Sequence, residues 1–169
     1  TEKNGNGYRF DLGPSVFTMP HLIDELFVLA GKNPRDYFSY TRLDTSFKYF
    51  FEGGKCITAF ADRQKFAKEI VEKTSDSEES LFRYLEDIST KYDITNEVFS
   101  ENSLHIAGNY LKKKFLSGIL NFHKIDAFNS MHEGNKRFFK DPNVVQLFDY
   151  YASYVGSNPL VAPATLNLI

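Results

Sequence analysis

Two hydrophobic periods alternate along this chain. From Leu43 to Phe51 the positions Leu43, Thr45, Phe47, Tyr49 and Phe51 fall on one face, with Arg42, Asp44, Ser46 and Lys48 on the other. This is the period of two that a half-buried strand shows. Glu52-Gly53-Gly54 supplies a reversal and Lys55 to Phe60 returns as the antiparallel partner. A shorter alternation sets Tyr8, Phe10 and Leu12 against Arg9 and Asp11, directly after the turn dipeptides Asn4-Gly5 and Asn6-Gly7. Thr1 to Lys3 is therefore read as the incoming arm of a hairpin. The outgoing arm runs into Gly13-Pro14-Ser15, a corner where bare backbone and a fixed φ would let a flat ligand approach the main chain.

Elsewhere the period is helical. Pro20 and Gly31 bracket a helix with Leu22/Ile23, Leu26/Phe27 and Leu29/Ala30 on one face, and Asn33-Pro34 caps a short turn through Phe38. Asp62 is an N-cap for a helix that turns Phe66, Ala67, Ile70 and Val71 inward. Ser75-x-x-Glu78 reads as a capping box for a longer helix burying Leu81, Leu85, Ile88 and Tyr92, with Asp76 to Glu79 as dipole-favouring carboxylates of its first turn. Ala127, Phe128, Met131, Phe138 and Phe139 suggest a less regular helix. Asp141-Pro142 then opens a clean one, with Val144/Val145, Phe148, Tyr151/Ala152 and Val155 inward and Gly156 as C-cap; Pro163 opens another through Thr165 to Ile169. The fold class implied is α+β, a mostly helical lobe with a small antiparallel or mixed sheet.

Composition narrows the function classes. The 169 residues are 42% hydrophobic and 25% charged, with net charge -2, which gives no global electrostatic case for nucleic acid. The 17 Phe and 10 Tyr suit either a lined apolar cavity or an aromatic core. Cys56 stands alone, so there is no disulfide framework and a reducing, cytoplasmic setting is expected. From Ser100 to Ile125, apolar residues such as Leu104, Ile106 and Phe115 flank Lys112-Lys113-Lys114. That pattern fits either a solvated helical stretch or an interfacial segment with its lysines at lipid phosphates.

Catalytic signatures are few. His21, His105, His123 and His132 have no metal-ligand spacing, and no phosphate loop, nucleophile elbow or kinase motif is found. Gly5-Asn6-Gly7 precedes a strand instead of a helix and is no dinucleotide fingerprint. Asp11 is readable as an acid, a base or a turn-stabilising carboxylate. No metal is expected, and no catalytic residue can be assigned.

Three segments in order resemble the FAD-dependent phytoene desaturases of the bacterial type and related carotenoid and retinoid oxidoreductases. Phe10-Asp11-Leu12-Gly13-Pro14-Ser15 resembles their FDxGPS segment. Arg42-Leu43-Asp44 with Phe50-Phe51 resembles their RLDPxYRxFF strand, Thr45 replacing the usual proline. Tyr154 to Ala164 resembles their YxGxxPxxAPA segment. The resemblance implies a chain that is one substrate-binding lobe, 1–169, excised from a larger FAD enzyme that dehydrogenates a long apolar isoprenoid such as a carotenoid. FAD would belong to a nucleotide-binding domain absent here, so the lobe alone is expected neither to bind it nor to be active. Such chemistry needs a flavin, a water-poor site and positioning, with no protein nucleophile or metal. The implied cofactor- or substrate-facing residues are Asp11, Gly13, Pro14 and Ser15 at one corner and Tyr154, Gly156, Asn158 and Pro159 at the other. A peripheral contact with the inner face of a membrane is a further expectation. Two other readings remain: a flavin-dependent isomerase or saturase of another apolar substrate, and a stand-alone lipid-binding or membrane-interaction module without redox activity.

Overall fold

A computed structural model describes residues 17–96, 121 and 124–168, together with the backbone of 2–3 and 9–10. The described chain falls into two compact units, Thr1–Leu43 and Asp44–Ile169.

In the first unit, β1 (Glu2–Lys3) and β2 (Arg9–Phe10) pair antiparallel, with Glu2 opposite Phe10 and Lys3 opposite Arg9. The two arms of the expected hairpin thus pair, while Asn4 to Gly7 lie outside the described residues. Helix α1 spans Pro20–Leu29 and leaves through Gly31 at φ 69°, as the Pro and Gly punctuation predicts. Its apolar face is not a core face. No residue of α1 is buried, and Leu26, Val28 and Leu29 are exposed. The following turn is held by the Asn33 side chain, whose Oδ1 accepts from the Arg35 amide at 3.2 Å. Arg35 donates to Asp24 and to the Tyr40 hydroxyl, and its guanidinium lies over the Tyr40 ring at 4.4 Å.

The second unit begins with the hairpin of β3 (Thr45–Phe50) and β4 (Cys56–Phe60), paired from Thr45 opposite Phe60 to Phe50 opposite Cys56 with a bulge between Thr45 and Phe47. Strand β3 is shorter than the alternation suggests, because Leu43 lies outside it and is exposed. Gly53 and Gly54 take φ of 75° and 79° in the reversal, a conformation that L side chains resist. Strand β4 sends Ile57 and Ala59 into the core, and Cys56 is half-buried.

Helix α2 (Arg63–Lys73) is capped by Asp62, which accepts from the Lys65 amide at 2.8 Å. It buries Phe66, Ala67 and Ile70 but exposes Val71, which the helical pattern placed inward. Glu69 accepts from the Thr58 amide at 2.9 Å, so α2 satisfies a backbone donor of β4. Helix α3 spans Glu78–Thr95. Its cap is Ser77, which accepts from the Ser80 amide, and not Ser75. The buried stripe is Leu81, Tyr84 and Lys91, with Leu85 and Ile88 half-buried; Tyr92, expected inside, is exposed. Lys91 can occupy the stripe because Asp87 lies 2.7 Å from its ammonium and Asp126 lies 3.8 Å away.

Helix α4 spans Met131–Lys136 with Ser130 as cap, shorter than its apolar pattern, and Phe128 lies outside it fully exposed. Helix α5 spans Pro142–Asp149 and continues as a tighter 3-10 turn through Tyr150–Val155 to Gly156, whose φ of 63° ends it. Val155 is exposed where the helical period predicted burial, since the tighter turn rotates the face. A last 3-10 turn covers Ala164–Leu168. The class is α+β as expected, and among the described residues both sheets are antiparallel pairs.

The core of this unit is aromatic. The rings of Phe139 and Phe148 stack at 4.9 Å, and Tyr84 meets them at 5.0 and 4.3 Å. These side chains, with Phe66, form the buried core cluster of the unit. Each buries enough apolar area to contribute roughly 1.5–3 kcal/mol. The segment 97–120 lies outside the described residues, and with it Lys112 to Lys114.

Candidate functional site

Two aspartates set the position of α5. Asp141 caps it locally, accepting from the Asn143 amide at 2.9 Å, with Pro142 in the first turn. Its other oxygen accepts from the Ser75 amide at 3.2 Å and the Lys55 ammonium at 3.3 Å. Asp76 reaches the opposite way, accepting from the Lys140 and Asp141 amides at 2.8 and 3.0 Å. Burial pushes the Asp141 carboxyl up, but the amides of Asn143 and Ser75 and then the Lys55 charge outweigh it and hold it below the ordinary aspartate value. Asp76, read from sequence as one of several dipole-favouring carboxylates, is thus a long-range clasp. Nothing local in the sequence pointed to a partner 64 residues away.

With α5 so fixed, Val144, Val145, Leu147 and Phe148 are buried, while Pro142, Gln146 and Asp149, spaced i, i+4 and i+7, share a cleft-facing edge. On α4, His132 and Lys136 stand at i and i+4 along the same cleft. The cleft has a volume of about 670 Å³, with Phe139 and Val145 as its apolar lining and His132, Lys136, Lys140 and Gln146 as polar lining. Gln146 and Asp149 also line a neighbouring concavity of about 350 Å³, beside Tyr150, Ser153, Ser157 and Pro159.

Asp149 sits where the two meet, and His132 Nδ1 lies 2.7 Å from its Oδ2. The buried Asn135 donates to Asp149 Oδ1 at 2.8 Å, and the buried Asn167 donates to Asn135 Oδ1 at 2.9 Å. Four polar side chains from α4, α5 and the C-terminal turn therefore form one line. His132 lacked metal-ligand spacing, and its acidic partner lies 17 residues further on, so sequence reading did not select it.

The motif from Tyr154 to Ala164 is what brings these elements together. The Met131 amide donates to Ala162 O at 2.7 Å, the His132 amide to Pro159 O at 3.0 Å, and the Ala164 amide to Asn129 O at 2.8 Å. Of the second-corner residues, Tyr154 stacks on Tyr151 at 5.8 Å and meets Tyr150 edge-on at 6.2 Å. Gly156 ends the helical run, and Asn158 shapes a turn by accepting from the Leu160 amide at 2.9 Å. Pro159 lines the smaller concavity. Asp11, Gly13, Pro14 and Ser15 lie outside the described residues. Beside the second corner, burial raises the phenol of Tyr49, with Tyr151, Tyr154 and Tyr150 adding to it, and burial also raises that of Tyr151. Both therefore stay protonated at neutral pH.

The described residues do not fit a flavin dinucleotide. A pyrophosphate needs free amides at a helix N-terminus after a parallel strand. Among the described residues both sheets are antiparallel pairs, so no helix follows a parallel strand; the N-termini of α2, α3, α4 and α5 are closed by Asp62, Ser77, Ser130 and Asp141, and α1, which has no side-chain cap, opens on Pro20, which has no amide proton to offer. Among the described residues no group of His, Cys, Asp and Glu could hold a metal, and no helix is long and apolar enough to cross a membrane.

Clefts that combine apolar walls with a few fixed polar groups are the general form of small-molecule sites. Comparison with known proteins is more specific: the chain is similar along nearly its whole length to proteins named carotenoid desaturases and oxygenases. It is 40% identical over 96% of its length to a 1-hydroxycarotenoid 3,4-desaturase of a Flavobacterium. It is 33% identical over 97% to a 4,4'-diapolycopene oxygenase of a Methylomonas, and 25% identical over 97% to a carotenoid 3,4-desaturase of Haloarcula japonica. The chain spans about a third of the length of these relatives. No family model matches it.

Proposed function

We propose that residues 1–169 are the substrate-binding lobe of an FAD-dependent oxidoreductase that dehydrogenates a long apolar isoprenoid in carotenoid biosynthesis. The observation that carries this reading is similarity along nearly the whole chain to one third of proteins named carotenoid desaturases and oxygenases. The clefts beside α5 are consistent with it, offering an apolar wall and a small number of polar groups and no dinucleotide cradle. FAD would then be held by another domain of the same protein, and the lobe alone would be inactive. Here Asp11, Gly13, Pro14 and Ser15 face the cofactor or substrate, as do Tyr154, Gly156, Asn158 and Pro159. The protein is cytoplasmic and touches the inner face of the membrane through the basic and apolar stretch around Lys112 to Lys114.

The test is expression of the full-length protein in a host that accumulates phytoene and other polyenes. Flavin absorbance in the purified protein and products with added conjugated double bonds are expected. A colourless protein, or unchanged polyenes, would overturn the assignment. Reversing the charges of Lys112 to Lys114 should weaken binding to anionic liposomes; unchanged binding would remove the membrane contact.

A further inference from the structure

The line from Asn167 to His132 has a direction, and the direction follows from hydrogen-bond chemistry. A carboxylate only accepts, so both groups facing Asp149 must donate. His132 therefore presents Nδ1–H to Oδ2, and Asn135 presents its amide N–H to Oδ1. That leaves the Asn135 carbonyl facing inward, where it accepts from Asn167. Asn135 and Asn167 are 0% and 5% exposed, so neither can rotate into water to escape the arrangement. The outer consequence is a fixed tautomer: the neutral imidazole carries a lone pair on Nε2, with no hydrogen-bond partner among the described residues, in a side chain that lines the cleft.

We propose that His132 is a specificity-determining residue that accepts a hydrogen bond from a hydroxyl at one end of an otherwise apolar ligand, whose body lies along Phe139 and Val145. The inference rests on the proposed reading that this lobe binds a long isoprenoid. A hydrocarbon end gives Nε2 nothing to bond with and strips its water. A carboxylate end has no proton to donate to Nε2 and would lie beside the Asp149 charge, so it could only turn away toward Lys136 and Lys140 of the same cleft. A hydroxyl donates to Nε2 without either penalty, and the Gln146 side chain on the same cleft supplies a second polar neighbour. A preference for alcohol over hydrocarbon on the order of tenfold to a hundredfold is expected from one such bond.

The experiment is equilibrium partition of three probes of equal chain length between detergent micelles and the full-length protein: geranylgeraniol, the corresponding hydrocarbon and the corresponding carboxylic acid. The wild-type protein should bind the alcohol at least tenfold tighter than the hydrocarbon. His132→Asn keeps a donor for Asp149 and removes the Nε2 acceptor, so it should bring the alcohol down to the hydrocarbon's affinity and leave the hydrocarbon unchanged. His132→Gln, which reaches the Nε2 position with an amide, should restore part of the preference. Equal binding of alcohol and hydrocarbon by the wild type, or an undiminished preference in His132→Asn, would overturn this inference while leaving the isoprenoid reading standing. Tighter binding of the acid would transfer recognition to Lys136 and Lys140 and overturn it as well. Binding of none of the probes would overturn both.

Discussion

Replacing Asp76 by alanine removes the acceptor for two backbone amides at once. The bond to Asp141 N is buried and that to Lys140 N is partly buried, so water cannot fully replace the lost carboxylate. Hydrogen bonds to a charged acceptor contribute about 1.5–3 kcal/mol each, and an orphaned buried donor costs about as much. The two together, discounted for the exposed part of Lys140 N, give a loss of about 3–5 kcal/mol. That is a large share of the roughly 5–15 kcal/mol that holds a typical domain together. Urea denaturation followed by circular dichroism should show a lower midpoint with an unchanged slope. Hydrogen exchange should show the Lys140 and Asp141 amides losing protection more than those of α2. Asp76→Asn keeps one acceptor oxygen without the charge and should lose about half as much. An alanine variant destabilised by less than about 1 kcal/mol would refute the clasp, because two well-formed charged hydrogen bonds cannot vanish so cheaply.

Other expectations follow from the same geometry. A Cβ on Gly134 would meet the Ala164 Cβ at 2.8 Å, so Gly134→Ala should cost about 1–3 kcal/mol by denaturation, and the double variant with Ala164→Gly should recover much of it. Burial pushes the Asp126 carboxyl up, but the Asn129 side chain, Arg137 and then Lys91 hold it below the ordinary 3.8, as the amides and Lys55 hold Asp141. Both contribute stability that is present above pH 3.8 and lost as the pH falls through the lower folded values, so urea midpoints should decline below about pH 4 and decline less in Asp126→Asn. The phenols of Tyr84, Tyr49 and Tyr151 are raised by burial above the ordinary 10.0, so their neutral forms favour the fold below that pH. Stability should fall as the pH rises above 10, and a tyrosinate absorbance titration should show these groups ionising only with unfolding.

The local elements were written in short-range chemistry. Alternation from Thr45 to Phe50, the two glycines of the reversal, Asp62 and Asp141 as caps, Pro142 in the first turn and Gly156 at the end all act within a few residues, and all appear where the pattern puts them. The Tyr154 to Ala164 motif was legible too, and with it the relationship to carotenoid enzymes. Which face of a helix becomes core was less so. Val71, Tyr92 and Val155 satisfy helical periodicity and remain exposed, because the partners that decide burial come from elsewhere in the chain. Lys91 shows the converse, a charge placed in a buried stripe where Asp87 of its own helix and Asp126 from a distant loop both meet it.

Tertiary structure alone decided the site. Asp76 meets Asp141, and His132 meets Asp149, Asn135 and Asn167, only once the segment from Pro159 to Ala164 has returned along the start of α4. No spacing rule joins those positions, because neither a helical nor a strand period relates residues that a turn and a packed interface bring together. Sequence determined the local elements and carried the resemblance to carotenoid enzymes. Packing determined that a histidine without metal-ligand spacing became a fixed polar group lining the cleft, since only the folded chain can bury two asparagines beside the aspartate that holds the imidazole.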